Sequence, residues 1–425
     1  MIRPRSGGLA LAGLLGSAVL TQALLSATNL AVGLNLLRHT TDLQYGYYVL
    51  MQSSILYLCV AQGSFIQPQL ITRMRAADAA GRAALIGGLL RDQRRTWLLA
   101  AALFVAVTGV LWLSGKLDTA TVLVVFAASA AGVATLYREF FRMVLLGHRR
   151  PVDVLGVDGV YATLVLGGAL IATRTAAPAA VTGLSLALAA LTSGWLAARA
   201  LWRFERWNIL GAPGILRELV PLGTWSTAGA SVHWVLSQGY TYLVAAVLSV
   251  PAVAAIAATR LTIMPINLLS SGVGTVMLPT IAGWLTQHDT PKVLRRTLSF
   301  TLLLSTLAIC YFAAVWVLRD WIFTQVLHKR LAQRDALLLL WFAIGVAMVV
   351  RDQLIYLPTV RHRFRQLTTL STANALVALC FTYIGLVRLG VTGALWGLLI
   401  GETLNVCGLI VLSVLEVQCV LVSSA

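Results

Sequence analysis

The sequence has 425 residues, of which 59% are hydrophobic and only 11% are charged. Soluble globular domains carry about 25% charged residues, so this composition excludes an ordinary soluble protein and indicates a membrane protein. The formal net charge of +17 suggests a nucleic-acid partner at first sight, but the placement of the basic residues favours membrane topology instead.

A transmembrane helix needs about 20 mostly apolar residues, and twelve such segments follow one another along the chain. They cover residues 9–37, 43–70, 97–115, 119–147, 152–173, 178–203, 217–248, 252–283, 297–318, 335–360, 367–388 and 390–415. The predicted fold class is therefore an all-α polytopic membrane protein. The start of the first segment is basic, as in a signal peptide, but its apolar run is too long for one, so we interpret it as a retained helix.

Arginine and lysine collect in the connections on one side of the predicted membrane, above all in residues 73–95 and 361–365. The connections on the other side are short and hold few basic residues, such as Lys116 and Arg174. This is the positive-inside pattern, and with an even number of spans it predicts that both termini are cytoplasmic. Membrane topology accounts for the basicity, so no nucleic-acid partner is expected.

The sequence repeats itself at a distance of about 210 residues. A shift of 213 residues places Arg138 and Glu139 on Arg351 and Asp352. Two repeats of six helices have the same orientation in the membrane and enclose a central cavity in transporters of this kind. The predicted halves are residues 1–206 and 207–425.

The first helix of each predicted half carries polar residues at helical spacing. The two stripes consist of Ser17, Thr21, Thr28 and Asn35, and of Thr227, Ser231, Gln238 and Tyr242. His233 adds a titratable group to the seventh helix. Such residues either pack helices tightly or line a hydrated cavity, and the matching stripes favour a cavity that binds the substrate.

Arg138 and Glu139, like Arg351 and Asp352, lie about ten residues inside their apolar segments. Adjacent helical residues point about 100° apart, so each residue is predicted to find its partner elsewhere rather than in its neighbour. One interpretation is a pair of structural ion bridges. The other is that Arg138 and Arg351 line the cavity and contact the substrate.

Two further acids lie within predicted helices. Asp158 and Glu402 are candidates for binding a coupling proton or sodium ion, although neither has an acidic counterpart in the other half. Gly393, Gly397 and Gly401 form a glycine face beside Glu402, which predicts close helix packing. No metal site and no cofactor are predicted, because the cysteines lack metal-ligand spacing.

Residues 39–70, residues 254–300 and the sequence LLGHRR at 145–150 share a diffuse set of marks with a known family. The marks are Tyr45-Gly46, Gly63, Ala258, Arg260, Leu278-Pro279 and a capping turn at Asp289. On these marks most of the chain resembles polysaccharide flippases of the Wzx type, in the superfamily that also contains multidrug and toxin extruders.

This resemblance implies a flippase that moves undecaprenyl-diphosphate-linked oligosaccharide from the inner to the outer leaflet of the bacterial cytoplasmic membrane by alternating access. Arg260 would then help to neutralise the diphosphate. The implied partners are the lipid-linked oligosaccharide, membrane lipids, and the polymerase and glycosyltransferases of the same polysaccharide.

Two alternatives remain open. A multidrug or small-solute exporter of the same superfamily usually carries an acidic residue in its first helix, whereas residues 6–37 contain none. A membrane polymerase or glycosyltransferase would need catalytic groups in sizeable loops, and no catalytic motif is present in the short loops here. An enzyme is therefore not expected.

Overall fold

A computed structural model describes residues 7–207, 213–287, 290–329, 331, 333–361 and 363–423. Across these ranges all regular secondary structure is helical, which confirms the predicted all-α fold class. The predicted capping residue Asp289 lies outside the described residues, and so do the side chains of Ser17, Leu278 and Pro279.

The chain divides into two compact units, Met1–Ser231 (unit 1) and Val232–Ala425 (unit 2). The helices of unit 1 are α1 (Gly7–His39), α2 (Asp42–Ala76), α3 (Ala79–Leu113), α4 (Thr119–Gly147), α5 (Pro151–Ala172), α6 (Pro178–Leu201) and the first half of α7 (Ile215–Val247). The division falls inside α7 because its first turns pack in unit 1. Leu219 is fully buried there, and its carbonyl accepts a hydrogen bond from Gln69 of α2.

Unit 2 begins with the second half of α7. It continues with α8 (Val250–Arg260), a 3-10 turn (Leu261–Ile263), α9 (Met264–Gln287), α10 (Thr290–Val317), α11 (Arg319–Trp321), a π-helical turn (Ile322–Val326), α12 (Arg334–Leu354), α13 (Tyr356–Val360), α14 (Phe364–Leu389) and α15 (Val391–Ser423).

Eleven helical segments in the described part of the chain are long and apolar enough to cross a membrane. Helix α7 has 33 residues but is not among the eleven, because it carries the polar stripe predicted above. With α7 added by its length, the helices correspond to the twelve predicted segments. They indicate a multi-pass membrane protein.

Helix α3 begins at Ala79, well before the predicted start at residue 97. The Asp78 carboxylate caps it by accepting a hydrogen bond from the Gly81 amide over 2.8 Å. In the added turns Ile86 and Leu89 are fully buried while Arg94 and Arg95 are exposed, so this stretch is an amphipathic helix rather than a loop.

Two predicted spans are interrupted, and proline explains both breaks. A proline ring clashes with the carbonyl four residues earlier and cannot donate the helical hydrogen bond. Pro265 acts in this way on Leu261, where α8 gives way to the 3-10 turn, and Pro358 acts on Leu354, where α12 ends. The first break places Arg260 at the end of a helix.

The two units repeat one packing pattern. In unit 1, α4 packs on α6, α2 and α3, and its Phe140 and Phe141 are fully buried. In unit 2, α12 packs on the corresponding helices α15, α9 and α10, while α14 packs on α15 as α5 does on α6. This correspondence bears out the prediction of two repeats.

Helices α14 and α15 approach each other through glycine. A Cβ added to Gly393 would overlap the Gly385 carbonyl, and one added to Gly397 would overlap the backbone of Thr382. The predicted packing role of the glycine face is therefore confirmed.

Candidate functional site

Four charged side chains form a closed ring between α4 and α5 in unit 1. Asp158 of α5 accepts a hydrogen bond from Arg138 and another, over 3.0 Å, from Nε of Arg142. Glu139 completes the ring, with Oε1 2.8 Å from Nη1 of Arg138 and Oε2 3.3 Å from Nη1 of Arg142. Two arginines and two carboxylates make this ring formally neutral.

The Arg138–Asp158 pair of this ring is shielded from solvent, whereas the side chains of Arg142 and Glu139 are 19% and 18% exposed. Asp158 is 0% exposed and Arg138 is 3% exposed. The Arg138 guanidinium also lies over the Tyr161 ring, with Cζ 3.9 Å from the ring centre. Arg138 and Arg142 are four residues apart, so both arginines leave α4 on one face. A buried network of this kind links α4 to α5 and depends on every charge having its partner.

Arg351 of α12 forms a second ion cluster in unit 2. Its Nη1 lies 2.6 Å from Oε1 and 2.8 Å from Oε2 of Glu402 in α15. Its Nη2 lies 2.8 Å from Oδ1 of Asp352, and the Ser270 hydroxyl of α9 donates to Oδ2 of the same carboxylate over 2.8 Å. The cluster thus joins three helices of unit 2.

The two clusters occupy equivalent places but differ in charge. The shift of 213 residues that places Arg138 on Arg351 places Arg142 on Ile355. Among the described side chains, one arginine therefore faces two carboxylates in unit 2, which leaves a formal charge of −1. The interhelical acid also comes from a different helix, α5 in unit 1 and α15 in unit 2.

The prediction that adjacent charges cannot pair is wrong. Arg138 lies 2.8 Å from Glu139, and Arg351 lies 2.8 Å from Asp352. The 100° between neighbouring positions separates the Cβ directions, but the arginine side chain is long enough to turn along the helix surface to the next carboxylate. Each arginine also has a partner on another helix, as the sequence predicts.

Arg260 lies at the end of α8, where the proline-induced turn begins. Its Nη1 donates to Oε1 of Gln238 over 2.8 Å and to the Tyr240 hydroxyl over 3.2 Å. Its Cζ lies 5.9 Å from the centre of the Tyr240 ring and 5.7 Å from that of Trp341. No carboxylate pairs with Arg260 among the side chains that the structure describes, so only neutral dipoles and aromatic faces surround its charge.

Two of the predicted cavity residues of unit 1, Thr28 and Ser231, have partners within that unit. Thr21 and Thr28 are each 3% exposed, and Thr28 donates to the Leu24 carbonyl of its own helix over 2.8 Å. The Ser231 hydroxyl lies 3.3 Å from the Tyr57 hydroxyl of α2.

In unit 2, His233 is exposed and Gln238 holds Arg260. The predicted central cavity concerns the space between the units and stays a prediction.

Sequence reasoning missed Tyr161, whose ring lies under the Arg138 guanidinium, and three other members of these sites. Arg142 had a signal, because its spacing of four residues from Arg138 places both on one helix face. Ser270 and Trp341 had none, since they reach Asp352 and Arg260 only through tertiary packing. No group of three or more potential metal ligands occurs in the described part of the chain.

Several solved structures resemble this chain along nearly its whole length. An inward-facing multidrug resistance MATE family transporter of the MOP superfamily has a TM-score of 0.71 at 15% identity, over 94% of this chain and 96% of that one. An outward-facing transporter of the same description has a TM-score of 0.63 at 12% identity, over 96% of both chains.

A MOP superfamily transporter from Pyrococcus furiosus, described by the reverse polarity of its binding pocket, has a TM-score of 0.63 at 13% identity, over 96% of this chain and 95% of that one. No family model matches the sequence, and no curated protein matches it significantly. At these identities the likeness shows that the chain has the two-repeat fold of MATE transporters.

Proposed function

We propose that this protein is an alternating-access membrane transporter that moves an anionic cargo. Its membrane-length helices and the fold that it shares with MATE transporters support the transport function. The observation that supports an anionic cargo is Arg260, whose charge has no carboxylate partner among the described side chains.

A guanidinium within a membrane-spanning segment is costly unless water, a polar group or an opposite charge meets it. Gln238 and Tyr240 supply oxygen atoms to Nη1 of Arg260 but no negative charge. A phosphate would supply that charge, and the planar guanidinium can donate two parallel hydrogen bonds to it from its remaining nitrogens. The ring centres of Trp341 and Tyr240 lie 5.7 and 5.9 Å from the guanidinium carbon.

A lipid-linked oligosaccharide carried on undecaprenyl diphosphate is an anionic cargo whose phosphates would supply this negative charge. The family resemblance of the sequence supports it, and so does the lack of an acid in residues 6–37. In this proposal the protein lies in the bacterial cytoplasmic membrane with both termini inside. The polymerase and glycosyltransferases that act on the same glycan are its functional partners.

Multidrug or small-solute export is the second candidate, and the structural comparisons favour it. Two of the similar structures are described as multidrug resistance transporters. Another is described as having a binding pocket of reverse polarity that suggests a different function, so the fold alone does not decide the cargo. Cargo is therefore the property that the experiment must decide.

Ion coupling is assigned to the unit 2 cluster in this proposal. Its formal charge of −1 can be neutralised by a proton or a sodium ion, whereas the ring around Asp158 is already neutral. Asp352 is the more accessible acid, with 32% of its side chain exposed against 2% for Glu402. Glu402 and Asp352 together thus form a better candidate than Asp158.

The test is transport by purified protein in liposomes, with fluorescent undecaprenyl-diphosphate oligosaccharide in one assay and a cationic dye in the other. Wild-type protein is compared with Arg260→Ala and Arg260→Lys, and with Arg388→Ala, which removes an exposed arginine from the same unit. We expect translocation of the lipid-linked glycan, loss of it in Arg260→Ala, and partial recovery in Arg260→Lys because a point charge still attracts phosphate.

Dye export without glycan translocation would establish the multidrug candidate. Unchanged glycan transport by Arg260→Ala would remove Arg260 from the pathway. Equal losses in Arg260→Ala and Arg388→Ala would indicate a general charge effect rather than a cargo contact.

A further inference from the structure

An open cavity of about 620 Å³ lies in unit 2 where α9 ends and α10 begins. Lys292, Arg295 and Arg296 contribute three positive charges to its lining, and Trp284 of α9 contributes an aromatic face. The Arg296 guanidinium lies 5.6 Å from the centre of the Trp284 ring. Sites for small ligands have volumes of about 300–1000 Å³, so the cavity is of suitable size.

The three basic residues are confined to the first two turns of one helix. Lys292, Arg295 and Arg296 are all exposed, and no carboxylate is seen to pair with either arginine in the described ranges. The first amides of the 28-residue helix add partial positive charge to that of Arg295 and Arg296. An anion in the cavity would balance this charge.

The same cavity is apolar on its other side. Phe300 and Leu303 line it one to two turns further along α10, and Leu303 is 63% exposed. The distance along the helix from Arg296 to Leu303 is about 10 Å. Since Pro291–Val317 is apolar enough to cross a membrane, the start of α10 lies near the lipid headgroups and Leu303 lies against hydrocarbon.

We propose that this cavity binds an anionic glycerophospholipid. The phosphate contacts the three basic side chains, the glycerol region lies against Trp284, and one acyl chain follows Phe300 and Leu303. Basic pockets between transmembrane helices bind anionic headgroups in this way. A free phosphate would use only the basic part and leave the apolar wall without a function, so the cavity fits a lipid better than an inorganic ion.

The proposal is tested by lipid titration of the purified full-length protein in a nonionic detergent. Short-chain phosphatidylglycerol, phosphatidylcholine of the same chain length, inorganic phosphate and undecaprenyl diphosphate are added separately, and the melting temperature is followed. Wild-type protein is compared with Arg295→Gln/Arg296→Gln. The matched control is Arg94→Gln/Arg95→Gln, which removes an exposed adjacent arginine pair from α3 and changes the net charge equally.

We expect saturating phosphatidylglycerol to raise the melting temperature of the wild type and that of the control by the same amount. The apparent affinity of Arg295→Gln/Arg296→Gln should be about thirtyfold weaker, since two cations near an anionic headgroup are lost. Arg295→Lys/Arg296→Lys, which keeps the charge, should recover most of the affinity and remains informative if the glutamine variant does not fold.

Four results would overturn the proposal. They are equal titrations for the two glutamine variants, an equal effect of phosphatidylcholine, an equal effect of inorganic phosphate, and tighter binding of undecaprenyl diphosphate than of phosphatidylglycerol. The third result would assign the cavity to a free anion, and the fourth would assign it to the cargo.

Discussion

A single nitrogen of Arg351 lies within hydrogen-bonding distance of both carboxylate oxygens of Glu402, at 2.6 and 2.8 Å. Arg351 is 6% exposed and Glu402 is 1% exposed, so the pair joins α12 to α15 in a place that water hardly reaches. In unit 1, Arg138 and Asp158 join α4 to α5 in the same manner. These contacts favour the interpretation of both arginines as structural ion bridges over a direct contact with cargo.

Loss of one partner from the Arg351–Glu402 pair is predicted to destabilise the fold. Arg351→Gln should lose about 3–5 kcal/mol, because Glu402 then stays buried without a counter-charge, and Glu402→Gln should lose less, because Arg351 keeps Asp352 as a partner. Thermal unfolding in detergent measures this loss, with the exposed Arg388→Gln as control. The swap Arg351→Glu/Glu402→Arg should recover part of the stability, and wild-type stability in both single variants would contradict the structural role.

The sequence predicted most of the fold, because hydropathy locates segments that hydrocarbon surrounds. It missed the first turns of α3, where Leu85, Ile86, Leu89 and Leu90 are buried although arginines precede and follow them in the sequence. Only the helical period and the Asp78 cap could have shown this helix.

The candidate sites were predictable in part. Isolated charges in apolar segments identified Arg138, Arg351, Asp158 and Glu402, since such residues need a partner or a function. Which acid meets which arginine depends on the packing of α5 and α15. Neither acid has an acidic counterpart in the other half, so the sequence repeat does not predict these pairings, and the structure pairs Arg138 with Asp158 and Arg351 with Glu402.

Neutralising the unit 2 cluster is predicted to remove the ion dependence of transport without unfolding the protein. Asp352→Asn keeps the buried Arg351–Glu402 pair and leaves it balanced. Ile355→Arg introduces an arginine at the position that is equivalent to Arg142 in unit 1. Both variants should transport at a rate that a proton or sodium gradient no longer changes.

The control for this prediction is Asp153→Asn, which removes an acid that is 37% exposed beside Arg150 in unit 1. Transport assays with and without each ion gradient provide the measurement. If Asp352→Asn and Ile355→Arg respond to the gradients as the wild type does, the cluster is not the coupling site.

His148 predicts a pH dependence of stability at the end of α4. Burial lowers the pKa of His148 below 6.5, and the nearby Arg82 and Arg150 lower it further, against the opposing effect of Glu205. The unfolded chain therefore binds the proton first, so stability is full above about pH 6.5 and falls as the pH drops towards the pKa of the folded protein.

Melting temperatures at pH 7.5 and 5.5 measure this effect. His148→Gln should narrow the difference between the two values, while the exposed His39→Gln should leave it unchanged. An equal difference in the wild type and in His148→Gln would show that other groups cause the acid sensitivity.

A methyl group at Gly397 is predicted to separate α14 from α15. Its Cβ would overlap the backbone nitrogen of Thr382, and backbone cannot move aside as a side chain can. Gly397→Ala should therefore lower the free energy of unfolding by about 1–3 kcal/mol or more.

Gly156 of α5 provides the matched control, because a Cβ there has nothing within 4 Å. Gly156→Ala should be neutral or stabilise by up to about 1 kcal/mol through helix propensity. Thermal unfolding of both variants decides the matter, and equal melting temperatures would mean that the two helices can move apart at no cost.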